Sequence, residues 1–121
     1  MRYGTPFKRS SLENKFKHHP YRTSSERTAR SDGFQRIEQY ANQIALVAIT
    51  GASNVTGGIN PIHHLAESAH AVGAQIIVDC AQLAPHRKII MLPPDDPKLL
   101  DYVTISEHKI YAPLGTGALI G

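Results

Sequence analysis

The sequence predicts an α/β fold with a mostly parallel sheet and flanking helices. Two apolar runs, residues 44–50 and 74–79, are typical of strands buried on both faces of a parallel sheet. Between them, residues 61–72 show the 3.6-residue apolar period of a helix. Strand, helix and strand at this spacing favour a right-handed βαβ unit. A length of 121 residues fits one ordinary domain.

The remaining elements follow along the chain. Residues 34–43 have the apolar period of a short amphipathic helix, and residues 51–60 are small and polar, as in a loop. Pro61 suits the first position of the next helix, and Gly73 suits its end. Four prolines exclude a long element from residues 81–99. We predict two further strands at residues 101–106 and 117–121.

The N-terminal third differs sharply in charge from the rest. Residues 1–36 contain nine Lys or Arg and three Asp or Glu, a net charge of +6, whereas residues 37–121 have a net charge of −3. No sustained period of 2 or 3.6 is present in residues 1–35, and such a segment buries too little surface to offset its ordering entropy. We therefore predict a basic, disordered segment at residues 1–35 and a domain at residues 36–121. A nucleic-acid-binding arm is the less favoured interpretation, because no motif supports it.

Several classes of protein are excluded by composition. No run of about 18 apolar residues is present, so the sequence predicts no transmembrane helix. The N-terminus lacks the apolar core of a secretory signal. A single cysteine cannot form an internal disulfide, which points to a reducing compartment and a cytoplasmic location. His63 and His64 are adjacent and do not share a helix face, so we predict no metal site.

Polar side chains follow each predicted parallel strand, where ligands bind in open α/β sheets. A lysine beside a buried strand can act as an amine nucleophile toward an aldehyde. An aspartate at a neighbouring strand end can keep a pyridine nitrogen protonated, which makes the ring of pyridoxal phosphate (PLP) an electron sink. Serine and histidine can bind a phosphate. The candidates are Asn54, Asp79, Gln82, Ser106, His108 and Lys109.

These residues lie in motifs that resemble the class V aminotransferases. The segment SNVTGGINPIHHLAESAHAVGAQIIVDCAQLAPH, followed by TISEHKIYAPLGTGALIG, has the family's SN-V-x-G-x-x-x-P, VD-x-AQ-x-x-PH and S-x-HK-x-x-x-P-x-G-x-G motifs in order. The family includes the cysteine desulfurases and belongs to the fold type I PLP-dependent enzymes. The resemblance covers residues 44–121 and implies a partial PLP-dependent transferase large domain.

The resemblance implies a role for each candidate. Lys109 would form a Schiff base with PLP and later move the α-proton of an amino-acid substrate. Asp79 would pair with the pyridinium nitrogen, although aspartate at such a position is also an ordinary turn cap. The other implied cofactor contacts are Gln82 at the ring hydroxyl, Asn54 at the same edge of the cofactor, and Ser106 and His108 at the phosphate.

Cys80 does not match the persulfide cysteine of the desulfurases, which lies far beyond the lysine in the family. We expect Cys80 to be a buried, unreactive thiol beside Asp79. Transamination, desulfuration, elimination and racemisation all stay open as the reaction, because we expect the groups that select among them to lie outside this chain.

The family also implies a larger enzyme, with a seven-stranded large domain, a small domain and a homodimeric assembly. We expect this chain to be a fragment that covers the PLP-lysine half of the large domain and is too short to be active alone. The alternative is an α/β remnant without activity of its own.

Overall fold

The computed structural model describes residues 26–112 and 115–121. The chain forms helix α1 (Glu26–Gln39), strand β1 (Leu46–Thr50), helix α2 (Ile62–Ala71), strands β2 (Gln75–Asp79) and β3 (Tyr102–Ser106), a 3₁₀ turn (Glu107–Ile110) and strand β4 (Gly117–Ile120). Most of the segment predicted to be disordered, residues 1–25, lies outside the described residues, and so does most of the less favoured nucleic-acid-binding arm.

One four-stranded sheet has the order β1-β2-β3-β4. Strands β1, β2 and β3 are parallel, and β4 runs antiparallel to β3. This confirms the predicted mostly parallel sheet with flanking helices. Among the residues that the structure describes, no helix has the length and apolar character needed to cross a membrane.

Helix α2 packs its predicted apolar stripe against the sheet. Ile62, Leu65, Ala66 and Ala69 are buried, and Val72 is partly buried against the same core. Gly73 follows the helix with a φ of 75°, a left-handed conformation that glycine adopts without steric cost. The helix therefore ends where the sequence predicted.

Helix α1 differs from the prediction of a helix at residues 34–43, because it begins at Glu26 and ends at Gln39. The apolar pattern in the sequence starts only at Phe34, where the helix begins to pack on the core. The first two turns of the helix lack this pattern, so the sequence did not predict them. At the other end, Asn42 has a φ of 66°, which is incompatible with a continuing helix. Helix α1 therefore crosses the predicted boundary between residues 35 and 36 without a break.

The prediction that the first two strands are buried on both faces is wrong. Strand β1 lies at the edge of the sheet with alternating exposed and half-buried side chains, and Leu46 is 48% exposed. In β2, Ile76 and Val78 are fully buried, whereas Gln75 and Asp79 are exposed. Helix α2 packs on one face of these strands, whereas the opposite face, which we call the open face, carries exposed or half-buried side chains.

Candidate active site

The carboxyl ends of the three parallel strands lie at one level. Thr50 pairs with Asp79 across β1 and β2, and Asp79 pairs with Thr104 across β2 and β3. The hydrogen-bond ladder continues beyond the strands. Gly51 N–H donates to the Asp79 carbonyl, with an N–O distance of 2.7 Å, and Cys80 N–H donates to the Thr104 carbonyl, with an N–O distance of 2.9 Å. Residues paired in register share a face, so Thr50, Asp79 and Thr104 all lie on the open face. The two threonines beside Asp79 were not identified as candidates from the sequence.

Asp79 stabilises the turn that follows β2. Its Oδ1 accepts a hydrogen bond from Ala81 N–H over 2.9 Å. Asp79 therefore caps its turn, which is one of the two roles that the sequence allowed for it. It uses one carboxylate oxygen, and the other has no hydrogen-bond partner among the described residues. The carboxylate is exposed and has one oxygen available for a ligand at the strand end.

Cys80 is fully buried, with its side chain among the core residues. Burial, and then the negative charge of Asp79, raise the pKa of the Cys80 thiol to about 11. The thiol is therefore protonated at neutral pH, and the thiol form is a poor nucleophile. This confirms the expected buried, unreactive cysteine.

Lys109 lies in the 3₁₀ turn directly after β3, at the same edge of the sheet as Asp79. The lysine is half-buried, so its position beside a strand does not remove it fully from water. Ser106 and His108 are brought together at the start of this turn, where Ser106 Oγ lies 3.1 Å from His108 Nδ1. The pair presents a hydroxyl and an imidazole two residues from Lys109.

Glu107 connects the lysine turn to the start of β4. Its N–H donates to the Thr116 carbonyl, with an N–O distance of 3.1 Å, and its carboxylate accepts a hydrogen bond from the Thr116 hydroxyl. Its own carbonyl accepts from Ala112 N–H over 3.1 Å. The sequence did not identify Glu107 as a candidate. Its partner is nine residues away, and no local pattern indicates that contact.

Asn54 and Gln82 lie in the turns after β1 and β2. Ser53 Oγ accepts hydrogen bonds from the N–H groups of Val55 and Thr56, each with an N–O distance of 3.2 Å. These bonds stabilise the turn that carries the exposed Asn54. Gln82 is half-buried in the next turn. Among the described residues, no hydrogen bond joins the side chains of Asn54, Gln82, Asp79 and Lys109 to one another. The structure brings them to one edge, and their convergence on one ligand stays a prediction.

Gly51 allows the first two turns to approach each other closely. A Cβ atom at Gly51 would lie 3.0 Å from Leu83 Cδ2 and 3.3 Å from the Asp79 carbonyl oxygen. A side chain at this position would require Leu83 or the Asp79 carbonyl to shift by a few tenths of an ångström. Glycine therefore fits the close packing of the turn after β1 against Leu83.

The fold is an open α/β sheet that carries polar residues from three strand ends at its carboxyl edge, where ligands bind in proteins of this class. The aminotransferase class-V family matches residues 21–121. The chain belongs to this family.

The curated relatives are cysteine desulfurases by name. A probable cysteine desulfurase from Xylella fastidiosa is 46% identical over 78 residues, which are 64% of this chain and 18% of that protein. One from Halalkalibacterium halodurans is 43% identical over 95 residues, which are 74% of this chain and 22% of that protein. The chain thus spans about a fifth of the length of the relatives it matches.

Solved structures show the same likeness. The cysteine desulfurase CsdA from Escherichia coli is 33% identical with a TM-score of 0.58, over 74% of this chain and 22% of that one. A NifS-like protein from Rickettsia africae is 27% identical with a TM-score of 0.60, over 71% of this chain and 23% of that one.

Proposed function

We propose that this chain forms the lysine-bearing part of a PLP-dependent enzyme that acts on an amino acid. One observation carries the proposal. The register places the Asp79 carboxylate at the carboxyl end of β2, beside β3, and β3 leads within three residues to Lys109. Membership of the aminotransferase class-V family supports this interpretation.

The groups present at this edge fit PLP chemically. The free oxygen of Asp79 is suited to accept a hydrogen bond from a protonated pyridine nitrogen, and the Lys109 amine is suited to bind the aldehyde carbon covalently. When bound, PLP supplies an electron sink for the carbanion that forms at the substrate α-carbon. In this scheme Asp79 keeps the ring nitrogen protonated, and Lys109 accepts and returns the α-proton.

The remaining candidates take the roles that orient the cofactor. Ser106 and His108, already within hydrogen-bond distance of each other, are suited to donate to the phosphate. The amides of Asn54 and Gln82, on the turns after β1 and β2, are suited to the ring hydroxyl. We propose these assignments residue by residue.

The names of the relatives suggest the substrate class. The matched relatives are cysteine desulfurases, and one similar structure is of SspA in complex with cysteine. We propose cysteine or a related amino acid as the substrate. Cys80 is buried, with a thiol pKa of about 11, so it does not supply the nucleophile that desulfuration needs. The reaction type and a homodimeric assembly belong to the whole protein and stay proposals.

The test is to capture PLP on the purified chain. PLP is added, the lysine linkage is fixed by borohydride, and the modified residue is located by peptide mass spectrometry. We expect Lys109 to be modified and Lys109→Ala to abolish the visible absorption band. Lys98→Ala, which changes another partly exposed lysine, should leave the band unchanged. Modification spread evenly over all lysines would contradict the proposal.

A second candidate function is a non-catalytic α/β protein. It is favoured by the hydrogen bond that Asp79 makes in capping its own turn, since an ordinary turn aspartate would do the same. Absence of a lysine-linked absorption band at saturating PLP would favour this alternative.

A further inference from the structure

Glu107 and Thr116 enclose the turn that carries Lys109. Thr116 makes two contacts with Glu107, one through its carbonyl and one through its hydroxyl, whereas the Glu107 carbonyl binds Ala112 N–H. The backbone N–H, the carbonyl and the carboxylate of Glu107 all have partners. We call this set of contacts the Lys109 clasp.

The clasp is built at a point where the backbone has little freedom to adjust. Tyr111 has a φ of 69°, a left-handed conformation that is uncommon for a residue other than glycine. A Cβ atom at Gly117 would lie only 2.9 Å from the Ile105 carbonyl oxygen, so β4 begins in close contact with β3. The Glu107–Thr116 contacts therefore extend the β3–β4 pairing by one step at the base of the turn, directly after the Ser106–Gly117 pair.

The Glu107 side chain lies outside the hydrophobic core, so its carboxylate can bind Thr116. Glu107 is half-buried, and its carboxylate contact is made to Thr116. Hydrogen bonds to an ionised group are roughly twice as strong as those between neutral groups. The contact lies at an exposed position, where water competes for both groups, and it joins Glu107 to Thr116 next to the Ser106–Gly117 pair.

We propose that Glu107 and Thr116 are positioning residues for Lys109, and that the clasp sets how readily the Lys109 amine captures the cofactor aldehyde. The inference deepens the proposed function and rests on it for the identity of the cofactor. The geometry of the clasp itself does not depend on any ligand.

The first test measures PLP capture in four variants of the clasp and one control variant of the full chain. Thr116→Val and Glu107→Ala remove the side-chain hydrogen bond, and we expect the capture rate at Lys109 to fall about tenfold, as the loss of a hydrogen bond to a charged group permits. Thr116→Ser retains the hydroxyl and should keep most of the rate, whereas Glu107→Gln retains an acceptor oxygen without the charge and should lie between the wild type and Glu107→Ala. Glu38→Gln, an exposed glutamate on α1, is the control for loss of one negative charge.

The second test needs no cofactor. Acetic anhydride labels lysine amines, and the labelling of Lys109 relative to Lys98 is measured by mass spectrometry. Thr116→Val and Glu107→Ala disrupt the clasp, so we expect this labelling ratio to rise in both variants. We also expect the Ala112 amide to exchange its hydrogen faster in these variants than in the wild type. If the wild type captures no PLP, the proposed function fails, whereas these two readouts still decide whether the clasp positions Lys109.

Two outcomes overturn the inference. One is an unchanged labelling ratio and unchanged Ala112 exchange in both disrupting variants. The other is loss of the folded circular dichroism spectrum in both, because the clasp would then be a determinant of stability rather than of lysine position.

Discussion

Asp79 combines a structural contact and a candidate chemical role in one side chain. Its Oδ1 accepts from Ala81 N–H, and its position beside Thr50 and Thr104 places the carboxylate among the ends of three strands. The sequence offered a turn cap and a cofactor contact as competing interpretations. The geometry makes them compatible, because each requires a different oxygen.

Two substitutions at Asp79 should separate these roles. Asp79→Asn keeps a carbonyl oxygen for Ala81 N–H, so its free energy of unfolding should stay near that of the wild type. Asp79→Ala loses the hydrogen bond and should lower the free energy of unfolding by about 1 kcal/mol. Both should weaken PLP binding, since neither retains a carboxylate. Urea denaturation and PLP titration check this, and wild-type PLP affinity in Asp79→Asn would count against the proposed role.

His70 lies between two hydrogen-bond acceptors at the opposite end of the strands. Its Nδ1 is 2.7 Å from the Pro97 carbonyl oxygen and its Nε2 is 2.8 Å from Asp101 Oδ2. Burial lowers the pKa of His70, but the hydrogen bonds to Asp101 and Pro97 raise it more, so the net pKa is raised. Burial likewise raises the pKa of Asp101, but its hydrogen bonds with His70 and Ile76 N–H lower it more, and the net pKa is lowered. The doubly protonated ring satisfies both acceptors.

Stability should therefore depend on pH through this pair. The contribution of His70 should be fully present below its ordinary pKa of about 6.5 and be lost as the pH rises through its higher folded value. The contribution of Asp101 should be lost only at acid pH, as the pH falls through its lowered folded value. His70→Gln should lower the free energy of unfolding more at pH 5.5 than at pH 8.5. The exposed His64→Gln is the control, and an equal loss at both pH values for His70→Gln would contradict the prediction.

The secondary-structure elements were predicted to different accuracy for physical reasons. Strands β2 and β3 and helix α2 were predicted to within one or two residues because their own apolar patterns define them. The first two turns of α1 were missed because helical backbone continues beyond the apolar stripe. One-sided burial of β1 could not be predicted, since an apolar run does not show which elements cover the strand.

Two glycines in helical surroundings should respond oppositely to alanine. Gly33 lies inside α1, and a Cβ atom there would lie 3.7 Å from Leu65 Cδ2, an ordinary contact. Gly33→Ala should raise the free energy of unfolding by about 0.5–1 kcal/mol, since alanine is the better helix former. Gly73→Ala should lower it, because its φ of 75° is strained for alanine. Chemical denaturation of both variants checks this, and a destabilised Gly33→Ala would contradict the reasoning.

The molecule as a whole carries apolar side chains on surfaces that no described element covers. Leu46 on β1 and Leu119 on β4, in the two edge strands, are 48% and 63% exposed. Edge strands with apolar side chains are templates for pairing between chains. The gathering of polar residues at the carboxyl edge could be predicted from the order of strands and helices, but the exposure of these apolar side chains could not.

A positive charge on β1 should reduce self-association. Ala48 is exposed in the middle of this edge strand. Ala48→Lys should lower the light scattering of concentrated samples while the circular dichroism spectrum stays native. Gln39→Lys, at an exposed position of α1, adds the same charge away from the edge and should have a smaller effect. Equal effects of the two variants would show that net charge, and not the strand edge, controls association.

The antiparallel return of β4 beside β3 has a consequence for the order of assembly. Lys109 lies in the connection of a hairpin, which closes through contacts between neighbouring stretches of chain. Asp79 reaches the same edge through parallel pairing of β2 with β3, which requires the crossover of residues 80–101 to close first. Local contacts form faster than distant ones because they lose less loop entropy. We therefore expect the lysine turn to form early in folding, with the carboxylate arriving at an amine that is already in place.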